Sequence, residues 1–480
     1  MDFRATLRFS AFISGLLGLG IVGSGLVSLF YYEVEGYNLL ILGGVTTIVG
    51  IVGLKLIPKF REDLIHREAF FAVTFNWLVA GILGALPYLF SRNLGIVDAL
   101  FESISGFTTT GASVIDNVEN LPHGLLFWRA LTQGYGGMGI VVLSIAIFPL
   151  IRLSGRELYL AETGGPIKDK LTPRIKETAQ LLWMIYVGLI FIAALAYWIA
   201  GMGLFDAVCH SLTTISTGGF STRNTSIAAF RNPLLEWLVI LFMLIGATNF
   251  SLHYRAIKGQ WSAYFKDEEF KGWLGILIGG SVILLIIFGL YETSPFLPSV
   301  RGALFSLVSI IATTGYVTID FDQWHQGAKF LLLLLAYIGG CTGSTAGSIK
   351  VLRWLLFFKY LRLHLRLNLH PQALLTLKLG QRPLSGMALI STLIFILLYL
   401  LLTGIGAIIL TLEGYSFEDS LFASAICAGG IGPGIGPLGP TETFSQVPHL
   451  GKITLCGLMI LGRLEIFTVL VLFTRGFWRP

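Results

Sequence analysis

The sequence predicts an all-α polytopic membrane protein, with a leading pair of transmembrane helices followed by four copies of one helix–loop–helix unit. Three observations predict it. Only 12% of the 480 residues are charged against 54% hydrophobic, and the mean hydropathy is +0.78. Soluble domains carry about 25% charged residues, so this chain has too little polarity to cover a water-facing surface. Apolar runs of roughly 18 to 25 residues recur along its whole length, each long enough as a helix to cross a hydrocarbon layer of about 30 Å. Finally, a short amphipathic stretch carrying glycine returns four times, each time between two such runs.

Taken in order, ten crossings are expected, at 8–32, 38–57, 69–91, 122–150, 179–202, 233–254, 272–292, 327–357, 384–412 and 449–475. The first apolar stretch, Phe12 to Tyr31, has spanning length and no A-x-A-like cleavage site before the next span, so it is expected to stay as a helix. An even number of crossings puts both termini on one side. Segments on that side carry 25 of the 33 Lys and Arg residues, including six between Arg152 and Lys176 and seven between Lys350 and Arg382. The positive-inside rule makes that side cytoplasmic. The net charge of +6 is thus a topology signal and not a nucleic-acid footprint. Cys209, Cys341, Cys427 and Cys456 show no paired short spacing, so neither a disulfide framework nor a zinc site is expected.

Self-similarity organises the rest. The segments DALFESISGFTTTGAS (98–113) and RGALFSLVSIIATTGYV (301–317) agree at 7 of 13 positions when 99–111 is set against 303–315. FDAVCHSLTTISTGGFS (205–221) shares the Asp-Ala start, Ser211, Thr217 and Gly219; EDSLFASAICAGGIGPGIG (418–436) keeps Leu421, Phe422, Ser424 and Gly432. Each copy is about 12 residues of short helix, too short to cross, so it enters and returns on one side. The expected organisation is a helix pair at 1–66 and repeats at 67–176, 177–268, 269–382 and 383–480, that is, four helix–pore loop–helix repeats around a pseudo-fourfold pore.

Non-helical backbone at membrane depth is tolerable only where it is buried in protein or lines water. Four returns meeting on one axis satisfy that condition by coordinating an ion. Glycine permits φ > 0, which points successive carbonyls to one side, and a ring of carbonyls replaces the hydration shell of a monovalent cation. The half-helices aim their partial negative ends at the same place. Asp98, Asp206, Glu418 and Asp419 stand at the outer starts of the half-helices and only Glu102 lies further in, so a ring of carboxylates is not expected.

Beyond the repeats, the chain carries QGYGGMGIVVL (133–143), KLTPRIKETAQLLWMIY (170–186), GATNFSLHY (246–254), IGGCTGSTAGSIKVLR (338–353) and LGRLEIF (461–467). With these motifs and the leading helix pair, nearly the whole chain resembles the TrkH branch of the Trk/Ktr/HKT superfamily of potassium transporters. The resemblance implies one chain imitating a tetrameric potassium channel, homodimeric among the lipids of a prokaryotic plasma (inner) membrane. It also implies gating by a cytosolic ring of TrkA-like subunits. Any nucleotide belongs to that partner; potassium is the substrate, and no organic cofactor is expected on this chain.

Carried over by resemblance, the selectivity filter is Thr109, Thr110, Gly111 and Ala112; Thr217, Gly218, Gly219 and Phe220; Thr313, Thr314, Gly315 and Tyr316; and Gly430, Ile431, Gly432 and Pro433. The gate is Gly339, Gly340, Cys341, Thr342, Gly343, Ser344, Thr345, Ala346, Gly347 and Ser348, an intramembrane loop that moves aside on activation, with Arg463 as an electrostatic barrier. From the residues alone, 339–348 also reads as a small-residue packing seam, and Arg463 as one half of a salt bridge with Glu465. His210 is expected to be a hydrogen-bonded half-helix residue, and Arg129 a brace behind the filter. No Walker A motif is present, since Lys350 follows Ile349.

An intramembrane enzyme needs an Asp dyad, an H-E-x-x-H or a Ser/His pair at depth, and the spans contain none of these. A scaffold has no reason to repeat a glycine-bearing half-helix four times. A sodium-permeable or ion-coupled cation transporter of the same fold remains the alternative to a gated potassium channel.

Overall fold

The computed structural model describes residues 3–58, 66–91, 94–146, 175–291, 296–371, 378–379, 382–383 and 386–478. Helices α1 (Phe3–Phe30) and α2 (Glu35–Leu56) pack antiparallel. They approach backbone to backbone: a Cβ on Gly43 would meet Val22 N at 2.6 Å and the Gly18 carbonyl at 2.8 Å. Small residues give apolar helices this close van der Waals contact where no hydrophobic force separates helix from lipid. Glu33, between the two helices, accepts from the His123 amide at 2.8 Å and so joins the pair to the first repeat.

Each repeat opens with a long helix: α3 (His66–Phe90), then, at the corresponding places, residues 175–199, 268–291 and 386–412. Among the described residues six helices, these four and the leading pair, are long and apolar enough to span alone. Their outer faces leave Leu19, Ile41, Phe191, Ile286 and Leu397 exposed, as a lipid-facing surface requires. The second element of each repeat is a half-helix: α4 (Ile96–Phe107), and then 204–215, 296–311 and 417–429. These half-helices and their returns hold the polar core. Thr109, Thr110, Thr213, Thr217, Thr313 and Thr314 are all buried there.

The closing helix is where sequence and structure part. Helix α5 (His123–Ala146) is continuous to the edge of the described residues; most of the basic segment 152–176 lies outside them. The expected crossing 327–357 breaks as anticipated, one helix ending at Ala336 and the next starting at Val351. The expected crossings 233–254 and 449–475 are not continuous either. Pro233–Gly246 and Phe250–Ile257 meet at 101°, and His449–Arg463 and Phe467–Phe473 at 108°. Asn249 caps the helix after the first bend, accepting from Ser251 N at 2.8 Å. The carbonyls freed at the first bend, Gly246 and Ala247, are taken by the 339–348 loop: Gly246 O accepts from Thr345 Oγ1 at 3.0 Å and Ala247 O from Cys341 N at 2.9 Å. That satisfaction is what permits a break at membrane depth. The departures from an all-α chain among the described residues are an antiparallel pairing of Lys378–Leu379 with Arg382–Pro383 and a single parallel bridge between Ile338 and Ile349 at the two ends of the 339–348 loop.

Candidate functional site

The four half-helices end in one and the same way. Thr110 N donates to Ser105 O at 2.8 Å, Gly218 N to Thr213 O at 2.8 Å, Thr314 N to Ser309 O at 2.9 Å and Ile431 N to Ile426 O at 3.0 Å. The residue before each donor has φ > 0: Thr109 (55°), Thr217 (55°), Thr313 (53°) and Gly430 (66°). This is the Schellman ending, which satisfies the last carbonyls of a helix through a left-handed residue. Glycine is the usual occupant, and a β-branched threonine there is strained. Sequence reading marked these threonines for the filter but not for their conformation; the signal was Gly430, which replaces Thr in the fourth copy.

Two residues further on, the backbone turns left-handed again, at Gly111 (82°), Gly219 (78°), Gly315 (78°) and Gly432 (106°). A Cβ on Gly111 would collide with Gly218 O, one on Gly219 with Thr314 O and one on Gly315 with Ile431 O; on Gly432 it would meet Thr110 O at 2.9 Å. Each glycine therefore lies against the carbonyl before the glycine of the next loop, and the fourth closes onto the first. All four border one cavity of about 120 Å³. The structure thus brings the four sequence-predicted returns together in cyclic order.

Side chains fix this ring from behind. Glu102, fully buried, accepts from Arg129 Nε at 2.8 Å and from Val114 N at 3.0 Å. Arg129 also donates to Ser221 O at 3.0 Å and stacks 4.1 Å above the Phe220 ring, so it braces two adjacent loops. Gln133, one turn along α5, donates to Gly218 O at 2.7 Å and accepts from Phe220 N at 3.0 Å. The Tyr316 hydroxyl reaches back from the third loop to Thr213 Oγ1 at 2.5 Å. His210 is satisfied by Asp206 O and Ser221 Oγ at 2.8 and 3.0 Å, as expected. Two of the outer acids are also paired, Asp98 with Lys452 at 2.6 Å and Asp206 with Arg223 at 2.8 Å. Charge compensation at the starts of the first two half-helices is therefore local, and the ring itself is built of backbone.

The 339–348 loop lies against the ends of the second, third and fourth half-helices. Gly347 N donates to the strained Thr313 through its Oγ1 at 2.7 Å, Ser348 N to Gly429 O at 2.9 Å, and Thr345 Oγ1 to Ile215 O at 2.9 Å. From the other side, Glu269 accepts from Thr342 N at 2.6 Å and Leu352 N at 3.1 Å. Arg463 stands at the end of its helix and not within a continuous one. It donates to Thr345 O and to Gly136 O, both at 3.0 Å, and its Nε has no partner among the described residues. Glu465 has φ of 56° and pairs with Arg353 instead, so the Arg463–Glu465 bridge does not form. Glycines within three of the sequence motifs admit the half-helix ends: Gly136 lies against Phe107 O, Gly246 against Ile215 O at 3.1 Å and Gly462 against Ala428 O. Sequence reading quoted these motifs without that reason. A glycine in the closing helix of each of these repeats was the available signal.

Arg129 and Glu102 form a pair almost wholly removed from water. Replacing Arg129 by Met leaves a buried carboxylate uncompensated and is expected to destabilise the protein by about 3–5 kcal/mol. Arg129→Met with Glu102→Leu should cost less than the sum of the single changes. Thermal unfolding in detergent checks both; strict additivity would show that the two groups do not act as a pair.

The TrkH family model, described as a cation transport protein, matches residues 43–477. The chain is 39% identical over 485 residues to the Trk system potassium uptake protein TrkH of Escherichia coli (strain K12), covering 100% of both proteins. To the Trk system potassium uptake protein TrkH of Vibrio parahaemolyticus it is 37% identical over 490 residues, again with 100% of both covered. The crystal structure of the potassium transporter TrkH from Vibrio parahaemolyticus matches with a TM-score of 0.90 at 35% identity, covering 100% of each chain. On sequence and fold together, the chain belongs to the TrkH family of cation transport proteins.

Proposed function

We propose that this chain carries potassium ions into the cell through a gated, channel-like pore whose selectivity filter is the ring of four returns. The observation that carries the reading is the closed cycle of left-handed glycines, each against the next loop's carbonyl, around one shared cavity. Such a ring offers carbonyl oxygens at the negative ends of four half-helices, which suits a weakly hydrated monovalent cation. The filter comprises the returns at 109–112, 217–220, 313–316 and 430–433, and the repeats run 67–176, 177–268, 269–382 and 383–480. The names of the relatives, potassium uptake proteins, support potassium as the substrate.

Beneath the filter, the 339–348 loop and Arg463 act as one barrier. A cation there meets a backbone neck and a fixed guanidinium. At about 6 Å and an effective dielectric constant near 20, that repulsion is about 3 kcal/mol, which slows passage by about two powers of ten. Opening requires the loop to leave its partners on the second, third and fourth repeats. In this reading a cytosolic TrkA-like nucleotide-binding ring drives that step by docking on the basic segments 152–176 and 350–382. The chain works as a homodimer in the inner membrane with both termini cytoplasmic.

Two flux measurements test the filter and the gate separately. Gly315→Ser puts a side chain against Ile431 O in a left-handed position and is expected to raise sodium relative to potassium flux in proteoliposomes. An unchanged ratio in folded protein would remove the filter assignment. Deleting the loop residues, or Arg463→Ala, should each raise basal potassium flux without the partner. Together they should give less than the product of the separate effects. Fully multiplicative effects, or no rise from either, would place the gate elsewhere and return 339–348 to a packing seam.

A further inference from the structure

Three of the four returns carry a side chain on the residue before the glycine, namely Thr110, Thr314 and Ile431; the second carries Gly218. Gln133, from the neighbouring repeat, fills the space. It is fully buried, and a Cβ on Gly218 would collide with its Cδ. Its single amide plane grips both sides of Gly219. The Nε2 donates to the carbonyl of the preceding peptide, Gly218 O, at 2.7 Å, and the Oε1 accepts from the N–H of the following one, Phe220 N, at 3.0 Å. The first and third loops are held differently: Ser105 Oγ donates to Ala112 O at 2.6 Å and Ser309 Oγ to Tyr316 O at 2.8 Å, beyond the glycine. Gly218 O is also the oxygen against Gly111 in the ring. Gln133 is therefore a side chain bonded directly to one of the four carbonyls that close the cycle.

A carbonyl oxygen has two lone pairs. With one of them given to Gln133, Gly218 O is held in a fixed direction and offers a passing cation only the other. We propose that Gln133 is a specificity-determining positioning residue: by bonding the peptides on both sides of Gly219 it fixes one oxygen of the ring, and with it the ring's preference for potassium over sodium. The inference rests on the filter reading above. Gly218 is the complement of Gln133, its missing side chain being the room the amide occupies, which accounts for the one pre-glycine position where the returns lose their side chain.

The test is the sodium-to-potassium flux ratio of purified protein in vesicles, with size-exclusion elution as the check on folding. Gln133→Leu keeps the bulk and loses both bonds. Gln133→Glu keeps an acceptor for Phe220 N–H but sets an oxygen against Gly218 O. Both are expected to raise the ratio by roughly 2- to 10-fold, the range one hydrogen bond is worth. A packing role alone would lower the flux of both ions together and leave the ratio as it was, and that result would overturn the proposal. Gly315→Ser in the same assay separates the two claims. A ratio moved there but not in the Gln133 variants keeps the filter and removes Gln133 from it; a ratio unmoved in all three removes both. Should the Gln133 variants not fold, Gly218→Ala displaces the amide with Gln133 present. It is expected to raise the ratio similarly, and an unchanged ratio overturns the proposal equally.

Discussion

A backbone that leaves the helix at membrane depth must find a partner for every amide it exposes, because each one left unpaired in hydrocarbon costs several kcal/mol. Four half-helices, two bent helices and one broken helix all expose backbone in this protein, and they solve the problem for one another. The half-helices close their own ends with left-handed residues. The bend after Gly246 leaves carbonyls that the 339–348 loop takes up, and the loop's own amides go to Gly429 O and Thr313 Oγ1. The first bend, the loop and the half-helix ends thus share partners, and the centre of the molecule is one connected polar unit inside an apolar shell.

That interdependence joins the proposed filter to the proposed gate. Thr313 holds a strained left-handed conformation at the end of the third half-helix, and its hydroxyl is the acceptor for Gly347 N in the loop below. Thr217, equally strained, has its hydroxyl 3.4 Å from Thr345 Oγ1. A loop that moves takes away partners from residues that shape the returns. In this account, the state of the gate reaches the filter through two threonines and needs no longer path.

Much of this was legible in the sequence, and the limits have physical causes. The turning glycines could be found because φ > 0 selects for glycine, and the broken helix because 339–348 carries too many Gly, Ser and Thr residues for a continuous span. The bends at 247–249 and 464–466 were not found: the two halves of each together are apolar enough for a span, and hydropathy measures transfer to lipid without registering whether a helix is continuous. Thr109, Thr217 and Thr313 were not expected to be left-handed because residue propensity argues against it, and the bonds that close each half-helix override that propensity. The bond from Gln133 to Gly218 spans 85 residues and that from Arg353 to Glu465 spans 112, so neither leaves a local pattern. What sequence periodicity supplies is the repeat; what it lacks is the pairing between repeats.

The central claim is that the four returns form a binding site for a monovalent cation out of backbone oxygens. Anomalous scattering from crystals grown with rubidium or thallium in place of potassium tests it most directly. The account predicts a peak on the axis between the returns, within coordinating reach of the carbonyls of Thr110, Gly218, Thr314 and Ile431. An axis without a peak, or ions bound only at the side chains of the outer acids, would contradict it.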